Sequence, residues 1–212
     1  RYVSALINSM DVLKNHGQDV LWFTVTGSLI SKARNRCVHS FLESNADTLV
    51  FVDDDMIWEP LDMLKLIESE HSMIGGTYLQ KRDDELIFNK PLSEGLGVIP
   101  IKWLPGGFIK IEREVFETIK AKLDVTTYDG ITAFYQEEYR NGFVGEDVFI
   151  CKLYTEAGGQ PYLDTSISLG HIGDKVWRGD WEEHVNSTAS LSKAVEELKA
   201  KVDAMKPLES WD

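Results

Sequence analysis

The chain is short of positive charge and of cysteine. Its 212 residues include 22 Lys and Arg against 35 Asp and Glu, a formal net charge of −13. Such a surface repels nucleic-acid phosphates and anionic membranes, so we expect neither as the main partner. Its two cysteines, Cys37 and Cys151, fall in apolar helical patterns. This placement predicts buried free thiols in a reducing compartment.

Long apolar runs are also missing. No stretch of 18 apolar residues occurs, which predicts that no helix spans a membrane. The start, RYVSALINSM, lacks the charged-then-apolar order of a signal peptide, so we expect a cytoplasmic protein that is not secreted. What is present is a globular mixture with 43% hydrophobic and 10% aromatic residues.

Helix and strand patterns alternate along the chain. Helices are predicted at residues 2–17, 31–44, 59–70, 113–123, 145–159 and 188–206, and strands at 18–27, 48–52, 72–80, 97–111 and 161–173. The alternation predicts an α/β fold: a single Rossmann-like domain with a mostly parallel central sheet, helices on both faces and a more irregular second half. An α/β fold of this kind normally opens with a strand, so either RYVSALI is that strand or the protein begins upstream of it.

Three aspartates, Asp53, Asp54 and Asp55, end the apolar strand TLVFV. Two unit charges about 4 Å apart repel by about 4 kcal/mol at an effective dielectric of 20, and a bound divalent cation would remove that cost. Ligands of open α/β sheets bind at the carboxyl ends of the strands. Alternation along an extended chain places Asp53 and Asp55 on one side and Asp54 on the other, a D-x-D pattern. The alternative is a solvated turn in which Asp54 or Asp55 is a cap.

Four motifs appear in a recognisable order: Ala33-Arg34-Asn35, the D-x-D, Gly145-Glu146-Asp147 opening a helix, and His171 in SLGHIG. This order, spanning roughly residues 27–173, resembles GT-A fold glycosyltransferases, which use nucleotide-sugar donors. Among them it looks most like the compact viral enzymes that glycosylate the major capsid protein of chlorella viruses.

The resemblance implies a hexosyltransferase-type enzyme, metal-dependent and inverting, that moves a sugar from a UDP-sugar to a hydroxyl of a glycan or glycoprotein, with a viral capsid glycan as one acceptor. For a viral protein, the compartment would be the host cytoplasm. We expect a catalytic domain at residues 1–185, with a nucleotide-binding half to about 82 and an acceptor half after it. Residues 186–212 are expected to form an amphipathic helix that braces the domain or connects it to another one.

The resemblance also implies a metal site. Asp55 would bind the ion directly, Asp53 would bind the ion or the ribose, Asp54 would lie beside the nucleotide, and His171 would complete the ligand set. Carboxylate oxygens suit Mg²⁺ or Mn²⁺ next to a diphosphate, and a histidine ligand favours Mn²⁺. A lone histidine at a strand end is otherwise a structural hydrogen-bonding group.

Asp147 is the candidate general base for the acceptor hydroxyl, and Glu146 would orient the acceptor or hold Asp147. The alternative is that both acids only complement the helix dipole. Four aromatic residues lie just upstream, and they would form either a sugar platform or ordinary core: Phe134, Tyr135, Tyr139 and Phe143.

The remaining candidates would contact the donor. We expect nucleotide contacts from Arg34 and Asn35, close backbone approach at Gly76, and diphosphate contacts from Lys81 and Arg82. A strand with Gly106 and Gly107 would line the donor-sugar pocket. A lid over the donor would contain Trp177, Arg178 and Trp181. Each has a plainer alternative. Arg34 would be a surface helix residue, Gly76 part of a bulge, and Lys81 and Arg82 a solvated turn. The glycine strand would be a kinked edge strand, and the lid residues would only pack against the protein.

Two other functions stay open at this stage. A sugar-1-phosphate nucleotidyltransferase also places acids at a strand end, but its early Gly-rich phosphate loop is not found here. A non-catalytic carbohydrate-binding module with a Ca²⁺ site would bind sugar without nucleotide.

Overall fold

The computed structural model describes residues 1–81, 95–139 and 142–204. Helices in these ranges are α1 Tyr2–Asn15, α2 Ile30–Glu43, α3 Pro60–Glu68, α4 Arg113–Lys122, α5 Glu146–Glu156 and α6 Trp181–Ala204. Strands are β1 Thr48–Val52, β2 Met56–Ile57, β3 Met73–Thr77, β4 Val98–Pro100, β5 Phe108–Glu112, β6 Thr127–Tyr128, β7 Ile131–Thr132, β8 Tyr162–Ser168, β9 Gly170–Ile172 and β10 Val176–Arg178. A mixed α/β fold is therefore confirmed.

The main sheet has five strands in the order β1-β5-β3-β8-β4, and it is mostly antiparallel. The expectation of a mostly parallel sheet is wrong. Strands β1, β3 and β8 do run in one direction, but β5 lies between β1 and β3 and is antiparallel to both, and β4 is antiparallel to β8. The strand-helix alternation that predicts a parallel sheet does not hold at β4 and β5, which follow one another with no helix between them. The finer expectation of a Rossmann-like GT-A domain stays a prediction.

The strand predicted at residues 18–27 is also wrong, because this segment is irregular. Its large apolar side chains Leu21, Trp22 and Phe23 are exposed. The segment has the composition of a strand, but a strand also needs a hydrogen-bonded neighbour, and the described residues supply none for it.

A second sheet of three strands, ordered β10-β9-β2, decides where the aspartates lie. Met56 of β2 pairs with His171 of β9, and Trp177 of β10 pairs with His171 from the other side. The N–H of Ile172 also donates to the carbonyl of Asp55 at 2.7 Å. The turn after β1 is thus attached to the strand that carries His171.

One hydrophobic cluster of buried residues is formed by helices α1 and α3 and strands β2, β3, β5 and β8. Its buried members include Leu13, Met56, Trp58, Met63, Leu66, Ile74, Phe108 and Ile167. Gly76 of β3 belongs to this interior, since a Cβ there would lie 2.7 Å from Ile167 and 2.8 Å from Leu169. Packing of β3 on the segment around β8 therefore explains this glycine without a ligand.

The chain divides into two compact units, Arg1–Gly179 and Asp180–Asp212. In the second unit the helix α6 begins at Trp181, earlier than the predicted residue 188. Asp180 caps it, because its side chain accepts a hydrogen bond from the N–H of Glu183 at 2.8 Å. Within the described ranges, no helix combines the length and the apolar character needed to cross a bilayer.

Candidate functional site

The D-x-D forms a tight turn at the end of β1. The N–H of Met56 donates to the carbonyl of Asp53 at 3.1 Å, and the N–H of Asp53 donates to the carbonyl of Gly107 at 3.0 Å. Asp54 is exposed, whereas Asp53 and Asp55 are half-buried. Asp53 and Asp55 are thus the more enclosed pair, but a tight turn sets this, not the alternation of an extended chain.

Asp55 and His171 meet at this turn, with His171 Nε2 3.3 Å from Asp55 Oδ2. The other ring nitrogen, Nδ1, lies 2.9 Å from the carbonyl oxygen of Leu79. A carbonyl only accepts, so Nδ1 carries the hydrogen, and Nε2 is the ring nitrogen that faces the carboxylate. Asp55 Oδ2 and His171 Nε2 therefore lie close enough together to bind one ion between them.

Lys81 supplies a cation at this point, because its Nζ lies 2.6 Å from Asp55 Oδ2. The ammonium is about as exposed as the carboxylate, at 35% for both side chains. The pair is therefore open enough for an incoming ion or phosphate to displace or join the lysine. Arg82, expected beside Lys81, lies outside the described residues.

The donor set fits a divalent ion that is shared with a ligand. In the parts of the chain that the structure describes, no group of three or more His, Cys, Asp or Glu side chains could hold a metal by itself. Mg²⁺-type sites beside a diphosphate, however, take only one or two protein carboxylates and complete their shell with phosphate and water oxygens. Asp55 and His171 suit that smaller role, and the imidazole favours Mn²⁺.

Arg34 is buried between the two acidic motifs, and its side chain is only 5% exposed. Its Nη2 donates to both carboxylate oxygens of Asp53, at 3.0 and 3.1 Å. Its Nε donates to Glu146 Oε1 at 3.2 Å. The guanidinium carbon also lies 5.1 Å from the ring centroid of Phe51 and 5.9 Å from that of Tyr135. The alternative of Arg34 as a surface helix residue is therefore wrong.

Asn35, the next residue of α2, is buried as well. Its Nδ2 donates to the carbonyl of Tyr135 at 2.8 Å, and its Oδ1 accepts the N–H of Tyr135 at 2.9 Å. The amide thus pairs with one backbone residue as a neighbouring strand would. The predicted nucleotide contacts of Arg34 and Asn35 stay predictions, but both side chains already make hydrogen bonds within the protein.

Gly106 and Gly107 lie in a turn before β5, not in a strand as expected. A Cβ on Gly106 would be 2.8 Å from Arg34 Nη2, and a Cβ on Gly107 would be 2.6 Å from the hydroxyl of Tyr78. Both positions therefore need glycine because side chains of the site lie against the backbone.

Tyr78 is a site residue that the sequence analysis missed. Its hydroxyl accepts the N–H of Gly107 at 3.1 Å, and its ring meets that of His171 edge-on with centroids 4.9 Å apart. Burial, helped by the charge of Asp53, raises the pKa of the Tyr78 hydroxyl, so it stays protonated. One tyrosine among seven carries no pattern in sequence, and only the fold brings it beside the histidine.

Asp147 occupies the first turn of α5, where its Oδ1 accepts the N–H of Val148 at 2.8 Å. Burial raises the pKa of the Asp147 carboxyl, and the charge of Glu146 raises it further. The N–H groups of Val148 and Gly106 and the charge of Arg34 lower this pKa, so they oppose the shift. Gly106 therefore lies between Asp147, to which its N–H donates, and Arg34, which binds Asp53 of the D-x-D.

The four upstream aromatic residues divide into two pairs. Phe134 and Tyr135 are buried core. Tyr139 and Phe143 are 75% and 68% exposed, and their ring centroids lie 5.4 Å apart. A Cβ on Gly145 would lie 3.0 Å from Asp147 Oδ1 and 3.9 Å from Phe143 Cε1, so the exposed pair borders the candidate base.

The three residues expected in a lid lie in two elements, β10 and α6. Trp177 pairs through its backbone with His171, Arg178 is exposed at the end of β10, and Trp181 opens α6. Residues 176–178 thus form a strand beside the candidate metal ligand.

Comparisons with known proteins add little. No protein-family model matches the chain, and no curated protein matches it. Among solved structures, the chain is similar to A197 from STIV, with a TM-score of 0.49, 19% sequence identity and coverage of 78% of each chain. A likeness of this size carries no inference about activity.

Proposed function

We propose that the chain is a metal-dependent glycosyltransferase of the GT-A type, which transfers a sugar from a UDP-sugar to a hydroxyl acceptor with inversion. One observation carries the proposal. Two candidate metal ligands, Asp55 and His171, lie 3.3 Å apart after the end of β1. The Gly106-Gly107 turn connects them to Asp147, a carboxylate of raised pKa, because Gly107 bonds to Asp53 and Gly106 to Asp147. A viral capsid glycan as the acceptor stays a prediction of the sequence resemblance.

Asp55 and His171 would hold the divalent ion together with the diphosphate of the donor. When bound, the ion neutralises negative charge on the diphosphate leaving group. Lys81 is placed to turn from Asp55 to a phosphate oxygen, and Asp53 to contact the ribose. The divalent ion and Lys81 would thus supply the positive charge that an anionic donor needs in a protein of net charge −13.

Asp147 would accept the proton of the acceptor hydroxyl at one of its carboxylate oxygens. A raised pKa makes a carboxylate a stronger base at neutral pH, which suits this task. A single carboxylate base on the acceptor side corresponds to direct displacement, and hence to inversion. Glu146 is engaged by Arg34, which suits a supporting role better than proton transfer.

The proposal is tested by a thermal-shift screen of UDP-, GDP- and dTDP-sugars with and without Mn²⁺. We expect UDP-sugars to stabilise the protein only with Mn²⁺, by about 2.7 kcal/mol at 100 times the dissociation constant. Asp55→Ala should lose this stabilisation. Asp47→Ala, an exposed aspartate just before β1, is the matched control and should retain it.

An activity assay then separates the competing enzymes. Release of UDP from a UDP-sugar supports transfer, whereas release of pyrophosphate from UTP would assign a nucleotidyltransferase instead. Sugar binding that needs Ca²⁺ and no nucleotide would contradict both and favour a binding module.

A further inference from the structure

Arg34 is the point at which the two acidic motifs of the site meet. We propose that Arg34 is a positioning residue that holds the D-x-D and the G-E-D helix in register, and that it acts without touching the nucleotide. We call Arg34, Asp53 and Glu146 the Arg34 bridge. The effect of the Arg34 bridge on sugar transfer rests on the proposed function. The contacts of the bridge and its effect on stability do not depend on that function.

The geometry supports a bridge because one guanidinium serves both carboxylates. Asp53 receives two hydrogen bonds from Nη2 and Glu146 receives one from Nε. The planar fork of an arginine holds such partners at fixed angles, which a lysine ammonium does not. The two acids lie far apart in sequence, on the turn after β1 and at the start of α5, so the bridge orients one relative to the other.

The surroundings fix the guanidinium itself. The rings of Phe51 and Tyr135 lie on it, and Asn35 holds the backbone of Tyr135. The backbone of Gly106 closes the remaining approach, since a Cβ there would be 3.0 Å from Arg34 Cζ. With its side chain 5% exposed, Arg34 is placed to support the ligand-binding groups from behind, not to meet a ligand.

Stability measurements test the bridge without any assay of activity. In the wild type, Asp53→Asn or Glu146→Gln removes a partner from a buried cation, so we expect a lower urea midpoint. In an Arg34→Met background the same two carboxylates repel each other with no cation between them. Each substitution should then raise the midpoint, a reversal of sign.

Arg113 provides the matched control. It is another arginine that stacks on an aromatic ring, Phe41, but its donors go to backbone carbonyls, including those of Leu42 and Ala46. In an Arg113→Met background, Asp53→Asn should keep the sign that it has in the wild type. If Arg34→Met does not fold, Arg34→Gln replaces it, because a neutral amide also leaves the two carboxylates with no cation between them.

A kinetic readout separates positioning from nucleotide contact. Arg34→Met should lower kcat for transfer by about 10²-fold, the cost of a small misplacement, and change KM for the donor by a smaller factor. Millimolar guanidinium should partly restore Arg34→Ala, whereas urea, a neutral molecule of the same shape, should not.

Each outcome decides the matter. Equal signs in both backgrounds, or a rise in donor KM with kcat unchanged, would refute the bridge. A reversal of sign in a protein that transfers no sugar would uphold the bridge and remove the proposed function. A reversal together with the kcat loss supports both.

Discussion

At the scale of single residues, the same chemical group has different surroundings and therefore different tasks. Asp53 faces a guanidinium, Asp55 faces an imidazole and an ammonium, and Asp147 is held by backbone N–H groups at a helix start. Asp54, in the middle of the motif, is exposed. Three adjacent acids are therefore tolerated because two of them have separate cationic partners and the third is solvated.

Asp147→Asn tests the base. The variant should keep donor binding but transfer sugar about 10²-fold more slowly, the scale of a lost general base. Transfer kinetics and UDP binding by calorimetry measure the two properties. Unchanged turnover would remove Asp147 from this role.

The same variant has a pH-dependent effect on stability. Burial raises the pKa of Asp147 in the folded state, so the folded protein holds this proton more tightly than the unfolded chain does. Its contribution is fully present below the ordinary Asp pKa of about 3.9, and it is lost as pH rises through the raised folded-state pKa. Asparagine cannot ionise. Urea unfolding should therefore show Asp147→Asn to be more stable than the wild type at pH 7, with a smaller difference near pH 4.

The matched control for this effect is Asp11→Asn, at an exposed position of α1. We expect its unfolding free energy to differ from that of the wild type by no more than about 0.5 kcal/mol at pH 7. A pH-independent effect of Asp147→Asn would show that burial does not penalise the charged carboxylate.

Asn35→Ala tests the second buried residue of α2. It would leave the N–H and the carbonyl of Tyr135 buried without their partners, so we expect a loss of about 2–4 kcal/mol in unfolding free energy. Urea unfolding measures it, with the exposed Asn45→Ala as the control. A loss as small as that of the control would mean that water replaces the amide.

At the scale of elements, the two-residue strand β2 has a larger effect on the site than its length suggests. Its pairing with β9 is what brings Asp55 and His171 to 3.3 Å. Space is tight at position 170, because a Cβ there would lie 3.2 Å from Ile57 and 3.3 Å from Arg178. Strand pairing, more than the aspartates' own positions, therefore assembles the candidate metal site.

Gly170→Val tests this dependence without changing a ligand. The added side chain should push β9 away from β2, and Mn²⁺ should bind about 10-fold more weakly, as when supporting groups around a metal are lost. Titration with Mn²⁺ measures the affinity. Gly27→Ala, where the nearest atom to a Cβ is 3.7 Å away, is the control. Unchanged Mn²⁺ affinity in Gly170→Val would show that His171 is not a ligand of the ion.

At the scale of the whole molecule, charge limits which ligands bind without help. A net charge of −13 repels a diphosphate and leaves uncharged ligands unaffected. With a chelator present, we therefore expect UDP to bind no more tightly than uridine, and with Mn²⁺ considerably more tightly. Calorimetry on both ligands in both conditions measures this. Tighter binding of UDP in the chelator would show that Lys81 and its neighbours suffice without an ion.

Patterns local in the sequence predicted much of this protein. The limits of β1 match the predicted TLVFV run, and α3 begins at Pro60, one residue after the predicted start, where the missing N–H of proline is tolerated. In α1, apolar periodicity alone does not identify the buried face. Val3 and Ile7 are exposed, and Ser9 is buried because it accepts the indole N–H of Trp58 at 2.8 Å. A polar contact across the fold overrode the apolar periodicity.

The sequence by itself determined the short-range features: the helices, the strand that precedes the aspartates, the start of α5 at its two acids and the order of the four motifs. These depend on neighbours a few residues apart, which periodicity and capping describe. Only the tertiary structure decided the sheet order, the irregular course of residues 18–27, the burial of Arg34 and the place of Tyr78. Each of these depends on a partner distant along the chain, and such a contact contributes to stability only once the two segments pack together.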